Sequence, residues 1–222
     1  MKQEFPSASS ARKKEESSPE IRVVGNDVAR LIAHDLKTPL AAIAINLDFA
    51  LSELHSDAPS VLRDALTDCR DANARAARTV TDMADAVRLA AGECATTVTE
   101  VDAAQIIVDV IDVTRREAQA RGLTVRSQAA TRIVRANGDL LRRALERTLE
   151  RSFRDARPAS TIEVSLRTRS IAVRVDAVAS TDSSARGLAV YFVSAAMRAQ
   201  GGGFWTEVDA DGLLTYRLSF PR

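Results

Sequence analysis

His34-Asp35-Leu36-Lys37-Thr38-Pro39-Leu40 lies inside a long helical pattern, and its reading decides the first half of the chain. Around it, Ala33, Leu36, Leu40, Ile43, Leu47, Ala50 and Leu54 recur at alternate spacings of three and four, the seam of a coiled coil. With Ala33 and Leu36 as the inward a and d positions, His34 takes b, Asp35 takes c and Thr38 takes f. These are outer positions, so the imidazole faces solvent, where its neutral form can act as a nucleophile. His34 and Thr38, four residues apart, share one helical face. Pro39 has no amide to offer the Asp35 carbonyl, so the helix should bend just after the histidine.

Below that bend Ala41, Ile45 and Phe49 occupy the outer positions b, f and c. Apolar groups stacked on an exposed face are a candidate partner site. His55 to Ser60, containing Asp57 and Pro59, reads as a turn. A second seam follows through Leu62, Leu66, Cys69, Asn73, Ala76, Val80, Met83, Val87 and Ala90. Asn73 is its one polar member, and a single buried Asn often sets register between helices. Two seamed helices of this length carry more apolar surface than a hairpin can bury, so the expected form is a homodimer closed into a four-helix bundle.

Residues 1 to about 22 are rich in Ser, Lys and Glu without periodicity and read as a disordered tail. The helical hairpin is assigned to residues 23–93. From residue 94 to 222 the pattern changes. Short strands are expected over Thr97 to Val101, Leu123 to Ser127 and Arg132 to Arg135, with a helix through about Ala120 after the first of them. Asn137 or Asp139 can cap a helix running to about Arg154. Two alternating runs, Thr161 to Arg167 and Ser170 to Asp176, precede a helix from about Ala185 to Gln200. Gly201-Gly202-Gly203 and two further strands end the chain. This order implies one mixed sheet covered on one face by helices, an α+β layer.

Thirty-one basic residues balance 30 acidic ones, so no strong attraction to polyanions follows and no nucleic-acid partner is expected. No apolar run approaches the ~20 residues needed to span a bilayer, and no apolar signal core opens the chain. A cytoplasmic protein without a membrane partner is the simplest expectation. Cys69 and Cys94 make neither a disulfide framework nor a metal spacing. Zinc-ligand spacings, a Walker loop and a nucleophile elbow are all missing from the sequence.

The heptapeptide at 34–40, in such a hairpin, resembles the phosphoacceptor box of two-component sensor histidine kinases. The resemblance implies that His34 carries a phosphoryl group, that Asp35 assists proton handling, and that Thr38 can position water where the protein acts as a phosphatase. Lys37 could offset phosphoryl charge. It also implies that the Ala41, Ile45 and Phe49 face docks a response regulator receiver domain.

From Val98 onward the element order resembles the ATP-binding domain of the same family, with its nucleotide parts altered. The helix from Asp139 matches the asparagine-bearing helix, but Arg147 and Arg151 stand at the asparagine places, and guanidinium has no lone pair for magnesium. Both arginines read as solvated or paired with Glu146 and Glu150. The adenine-reading box aligns with Asp176-Ala177-Val178-Ala179-Ser180, which has lost both glycines. The later glycine box is reduced to Arg186-Gly187-Leu188-Ala189, about ten residues on, too near for a mobile lid. The glycines at 201–203 follow a helix and read as a helix stop, not a phosphate cradle.

The expected protein is a degenerate relative of the histidine kinases. In it, a hairpin dimerisation domain precedes a degenerate α/β sandwich. His34 takes phosphate from one receiver aspartate and passes it to another without ATP. No cofactor is expected on the chain itself, with magnesium on the partner receiver. The alternatives are a kinase with an atypical nucleotide site, and a regulatory pseudokinase or phosphatase that binds a response regulator.

Overall fold

The computed structural model describes residues 19–56, 58–177, 187–209 and 212–221. Two long antiparallel helices, α1 (Pro19–Ser52) and α2 (Ser60–Ala91), form the hairpin. Helix α1 starts earlier than the sequence suggested: residues 19–22, read as tail, are helical, while residues 1–18 of that tail lie outside the described residues. Helix α2 ends at Gly92, whose left-handed φ of 74° lets its amide bond back onto the last helical turn.

The seam divides in two. The a positions Ala33, Leu40, Leu47 and Leu54 are buried or half-buried, whereas the d positions Leu36 and Ile43 remain nearly half exposed. On α2, Leu62 and Cys69 are exposed as well. Asn73 is buried and its Nδ2 donates to the Leu40 carbonyl at 2.9 Å. That bond pins the two helices one residue beyond Pro39.

The second unit begins with β1 (Thr99–Asp102), α3 (Ala103–Ala120), β2 (Thr124–Gln128), β3 (Ile133–Ala136) and α4 (Gly138–Asp155). It continues with β4 (Thr161–Leu166), β5 (Ser170–Val175), α5 (Leu188–Ala199), β6 (Gly203–Val208) and β7 (Leu214–Ser219). Five strands form a mixed sheet in the order β2-β4-β5-β7-β6, parallel only between β2 and β4. Contrary to the single sheet expected, β1 and β3 pair with each other as a separate antiparallel ribbon. Both strands are four residues long, and each leads directly into a capped helix, which takes the chain away from the main sheet. Asp102 caps α3 through the Ala104 amide at 2.9 Å, and Asn137 caps α4 through the Leu140 amide at 3.0 Å.

Alternation decides which sheet face is covered. Ile162, Val164, Ile171, Val173, Tyr216 and Leu218 point to one side, where α3, α4 and α5 close the core. At the end of α5 the buried Gln200 accepts from the Asn137 amide at 2.7 Å and donates to the Ala196 carbonyl, tying α5 to the start of α4. The glycines after it form a helix stop: Gly202 passes so close to β7 that a Cβ would lie 2.0 Å from the Ser219 carbonyl oxygen. Gly202→Ala should therefore destabilise the chain by about 2–3 kcal/mol, read as a lower midpoint in denaturant, while Gly212→Ala, which meets no atom but holds a φ of 78°, should cost about 1 kcal/mol from backbone strain alone.

Candidate functional site: an exposed histidine and a rebuilt second domain

His34 lies on α1 with its side chain 83% exposed, and Nδ1 stands 3.4 Å from Asp35 Oδ1. Lys37 and Thr38 are exposed on the same stretch. The imidazole is open to any incoming group, and a neighbouring carboxylate can orient its ring. One turn and more below, Ala41 is exposed, with Ile45 69% and Phe49 64% exposed. His34 and the apolar face thus lie on one helix, on either side of Pro39, with Asn73 of α2 bonded to Leu40 beside it. His55, in the turn, lends its carbonyl to Arg63 at 3.2 Å.

At Arg147 the expected pairing with Glu150 is present, but the expected solvation is not. That side chain is buried against α2, where its Nε donates to Asp82 and its Nη1 to Glu150 at 2.8 Å. Arg143, one turn earlier, donates to Asp82 and to Asp85, both at 2.8 Å, and its guanidinium lies 4.7 Å from the Phe192 ring centroid on α5. Two acids on α2 therefore meet two arginines on α4. Burial works against the charge of Arg147, but the bonds to Asp82 and the field of Glu150 outweigh it and hold the guanidinium above its ordinary range. Glu146 is not an ion-pair partner of Arg147. Its half-buried carboxyl is pushed up by burial, against the attraction of Arg147.

Arg151 is half-buried and donates to Asp155 at 2.8 Å, and Tyr216 Oη donates to the same carboxylate. Tyr216 is wholly buried and stacks on Phe204, with centroids 6.4 Å apart. Burial, with Asp155 beside it, pushes its phenol well above the ordinary range. The gap between α4, α5 and the β6–β7 hairpin, lined by Arg147, Arg151, Phe204 and Tyr216, has no room for a water-sized sphere. At the end of β5, Asp176 pairs with Arg157 at 3.1 Å. Residues 178–186, which include the rest of that aligned box and Arg186, lie outside the described residues. Among the described residues no group of His, Cys, Asp or Glu is arranged to hold a metal ion, and no helix is long and apolar enough to cross a membrane.

Residues 26–92 match the model of the His Kinase A (phospho-acceptor) domain, which covers both helices of the hairpin and His34. The hairpin thus matches the phosphoacceptor domain of the histidine kinases. Solved structures extend the likeness of fold to the second unit. The cytoplasmic segment of histidine kinase QseC aligns at 17% identity with a TM-score of 0.52, over 66% of this chain and 92% of that one. The Acinetobacter baumannii histidine kinase AdeS aligns at 12% identity and 0.56, over 85% and 98%. Full-length ShkA, solved in complex with AMPPNP, aligns at 18% identity and 0.63, over 88% of this chain and 45% of that one. Comparison with curated proteins finds no sequence match. The chain thus joins a hairpin that matches the phosphoacceptor model to an α/β layer that shares the fold of these histidine kinase structures.

Asp82 is the residue the sequence reading missed. Asp82 and Asp85 lie three apart on α2, and Arg143 and Arg147 lie four apart on α4. These are matched same-face pairs of opposite charge, the signal that could have found them. Asp82→Ala, which strands Arg147 among its buried neighbours, should lower stability by about 3–5 kcal/mol, read as a lower midpoint in denaturant. Glu146 makes the opposite case. Its raised pKa means the folded state binds the proton more tightly than the unfolded chain, so stability falls as pH rises from the ordinary carboxylate value through the folded one. Glu146→Gln should raise the melting temperature at neutral pH and leave it unchanged near pH 4.

Proposed function

We propose that this chain is a histidine phosphotransferase of a two-component phosphorelay, working without ATP. The observation that carries the reading is the conversion of the asparagine places to Arg147 and Arg151. Each is committed to a carboxylate, Asp82 and Glu150 for one and Asp155 for the other. Magnesium and triphosphate would have to displace those carboxylates, and neither guanidinium can ligate the metal.

The chemistry then needs only what α1 presents. A nitrogen of the neutral His34 imidazole attacks the phosphorus of a receiver's aspartyl phosphate; the bond from phosphorus to the carboxylate oxygen breaks and the aspartate leaves as carboxylate. The reverse step delivers the phosphoryl group to a second receiver. The receiver brings its own magnesium, and transfer is a matter of positioning and charge. Asp35 orients the imidazole and handles its proton, Lys37 offsets phosphoryl charge, and Thr38, four residues on, can aim a water at a docked aspartyl phosphate.

Ala41, Ile45 and Phe49 are the docking face for the receiver, apolar and open on the same helix as His34. The exposed d positions Leu36 and Ile43, with Leu62 on α2, are the face that a second copy covers to complete a four-helix bundle. A cytoplasmic setting fits such a partner.

Incubation of the chain with phosphorylated receiver domains should label His34, and His34→Ala should abolish labelling without loss of receiver binding. ATP alone should leave the wild type unlabelled; labelling by ATP would overturn the reading. Phe49→Ala should raise the receiver concentration needed for half-maximal transfer by about tenfold, the loss expected of a central apolar contact. Sedimentation should give twice the chain mass, and Ile43→Glu should reduce it to one.

A further inference from the structure

The five-stranded sheet ends on β6, which pairs with β7 along one side and, among the described residues, with no strand on the other. The ladder fixes which main-chain groups face outward. Asp209 N donates to the Leu213 carbonyl at 3.0 Å, and the register continues with Val208 opposite Leu214. Antiparallel pairs alternate between bonded and non-bonded, so Glu207, Trp205 and Gly203 are the residues that bond β7. Phe204, Thr206 and Val208 therefore turn their amides and carbonyls to the open edge.

Free edges are commonly guarded by lysine, proline or a bulge. The stretch Gly203–Val208 has no lysine or proline, and its pairing with β7 runs without a bulge. Its one charge, Glu207, is drawn back toward β7, where it accepts from Arg217 Nε. The opposite edge of the sheet, β2, exposes only polar side chains: Thr124, Arg126, Ser127 and Gln128. On β6, Val208 is half exposed on the face that carries Phe204 and the core, and Trp205 is nearly half exposed on the outer face beside Glu207.

We propose that β6 is a docking edge for an extended segment of a partner protein, which joins the sheet antiparallel as a sixth strand. Main-chain bonds to Phe204, Thr206 and Val208 hold the segment, and alternation defines its side chains. Those on the inner side are apolar and cover Val208. Those on the outer side are basic, placed beside the Glu207 carboxylate and over the Trp205 ring. The site rests on main-chain geometry and does not depend on the phosphotransferase chemistry of His34.

Trp205 is the only tryptophan of the chain, so its emission reports on this edge. The test is a fluorescence titration of the full chain with an acetylated, amidated hexapeptide of alternating lysine and valine. The same peptide N-methylated at its valines serves as the control, and both are repeated on Thr206→Pro. The Thr206 amide is not used by β7, so the variant should fold, and an unchanged melting temperature checks that it does. A saturable shift of the emission to the blue, lost with the methylated peptide and weakened about tenfold in Thr206→Pro, supports the edge. Absence of a saturable shift, or equal binding of the methylated peptide, overturns it whether or not the variant folds. Equal binding by a folded Thr206→Pro overturns it too. A sedimentation mass that falls in Thr206→Pro gives the edge to a second copy of the chain and likewise overturns it. Labelling of His34 is read separately and bears only on the phosphotransferase proposal.

Discussion

Apolar packing of α2 on α5, through Ala86 and Leu89, brings the second unit against the hairpin, and one buried carboxylate, Asp82, held between Arg143 and Arg147, fixes its register there. A carboxylate removed from water is tolerated only when its partners supply charge and hydrogen bonds together. Here Arg147 meets it through Nε and Arg143 through Nη2, which also bonds Asp85, while Glu150 accepts from Arg147 Nη1. Such a cluster is stable closed and stable fully open in water, but poor in between. It therefore selects one docking geometry over its sliding neighbours, which an apolar contact of the same size would allow.

Arginine is the side chain that makes this possible from α4. Asparagine at the same places would be too short to reach α2 and would carry no charge to answer Asp82. One turn on, Arg151 serves Asp155 and so supports the Tyr216 hydroxyl, which would otherwise be a buried donor without a partner. The two arginines lie on one face of α4 but turn to different partners, one bonding to the hairpin and one to Asp155 beside Tyr216 of the sheet. Both uses fill space next to α4 with protein atoms.

The hairpin was legible because its period is long and strict: the seam placed His34 outward and singled out Asn73, whose side chain bonds the partner helix. Strand and helix limits fell within a few residues of expectation because Asn137, the alternating runs and the glycines after α5 are local signals. The separate β1–β3 ribbon was not legible, since strand partners are chosen by where the following helices pack. The Asp82–Arg147 pair was hidden for a similar reason. Sixty-five residues separate the two, and Glu146 and Glu150 offered nearer partners in sequence, of which only Glu150 is used. Sequence proximity outranked helix-face geometry in that reading, although Glu146, one residue from Arg147, points to another side of α4.

The clamp also bears on where phosphate comes from. A kinase domain must carry its nucleotide to the histidine and withdraw, which requires an interface that opens at little cost. A buried charge cluster opens only by rehydrating four side chains together, and removal of any one partner leaves another charge stranded. On the proposed reading, a second unit held in this way serves as a wall and not as a carrier. His34, 83% exposed on the neighbouring helix, owes nothing to that unit for its access. Phosphate reaching it from an external partner, as in the proposed relay, requires no movement of the clamp at all.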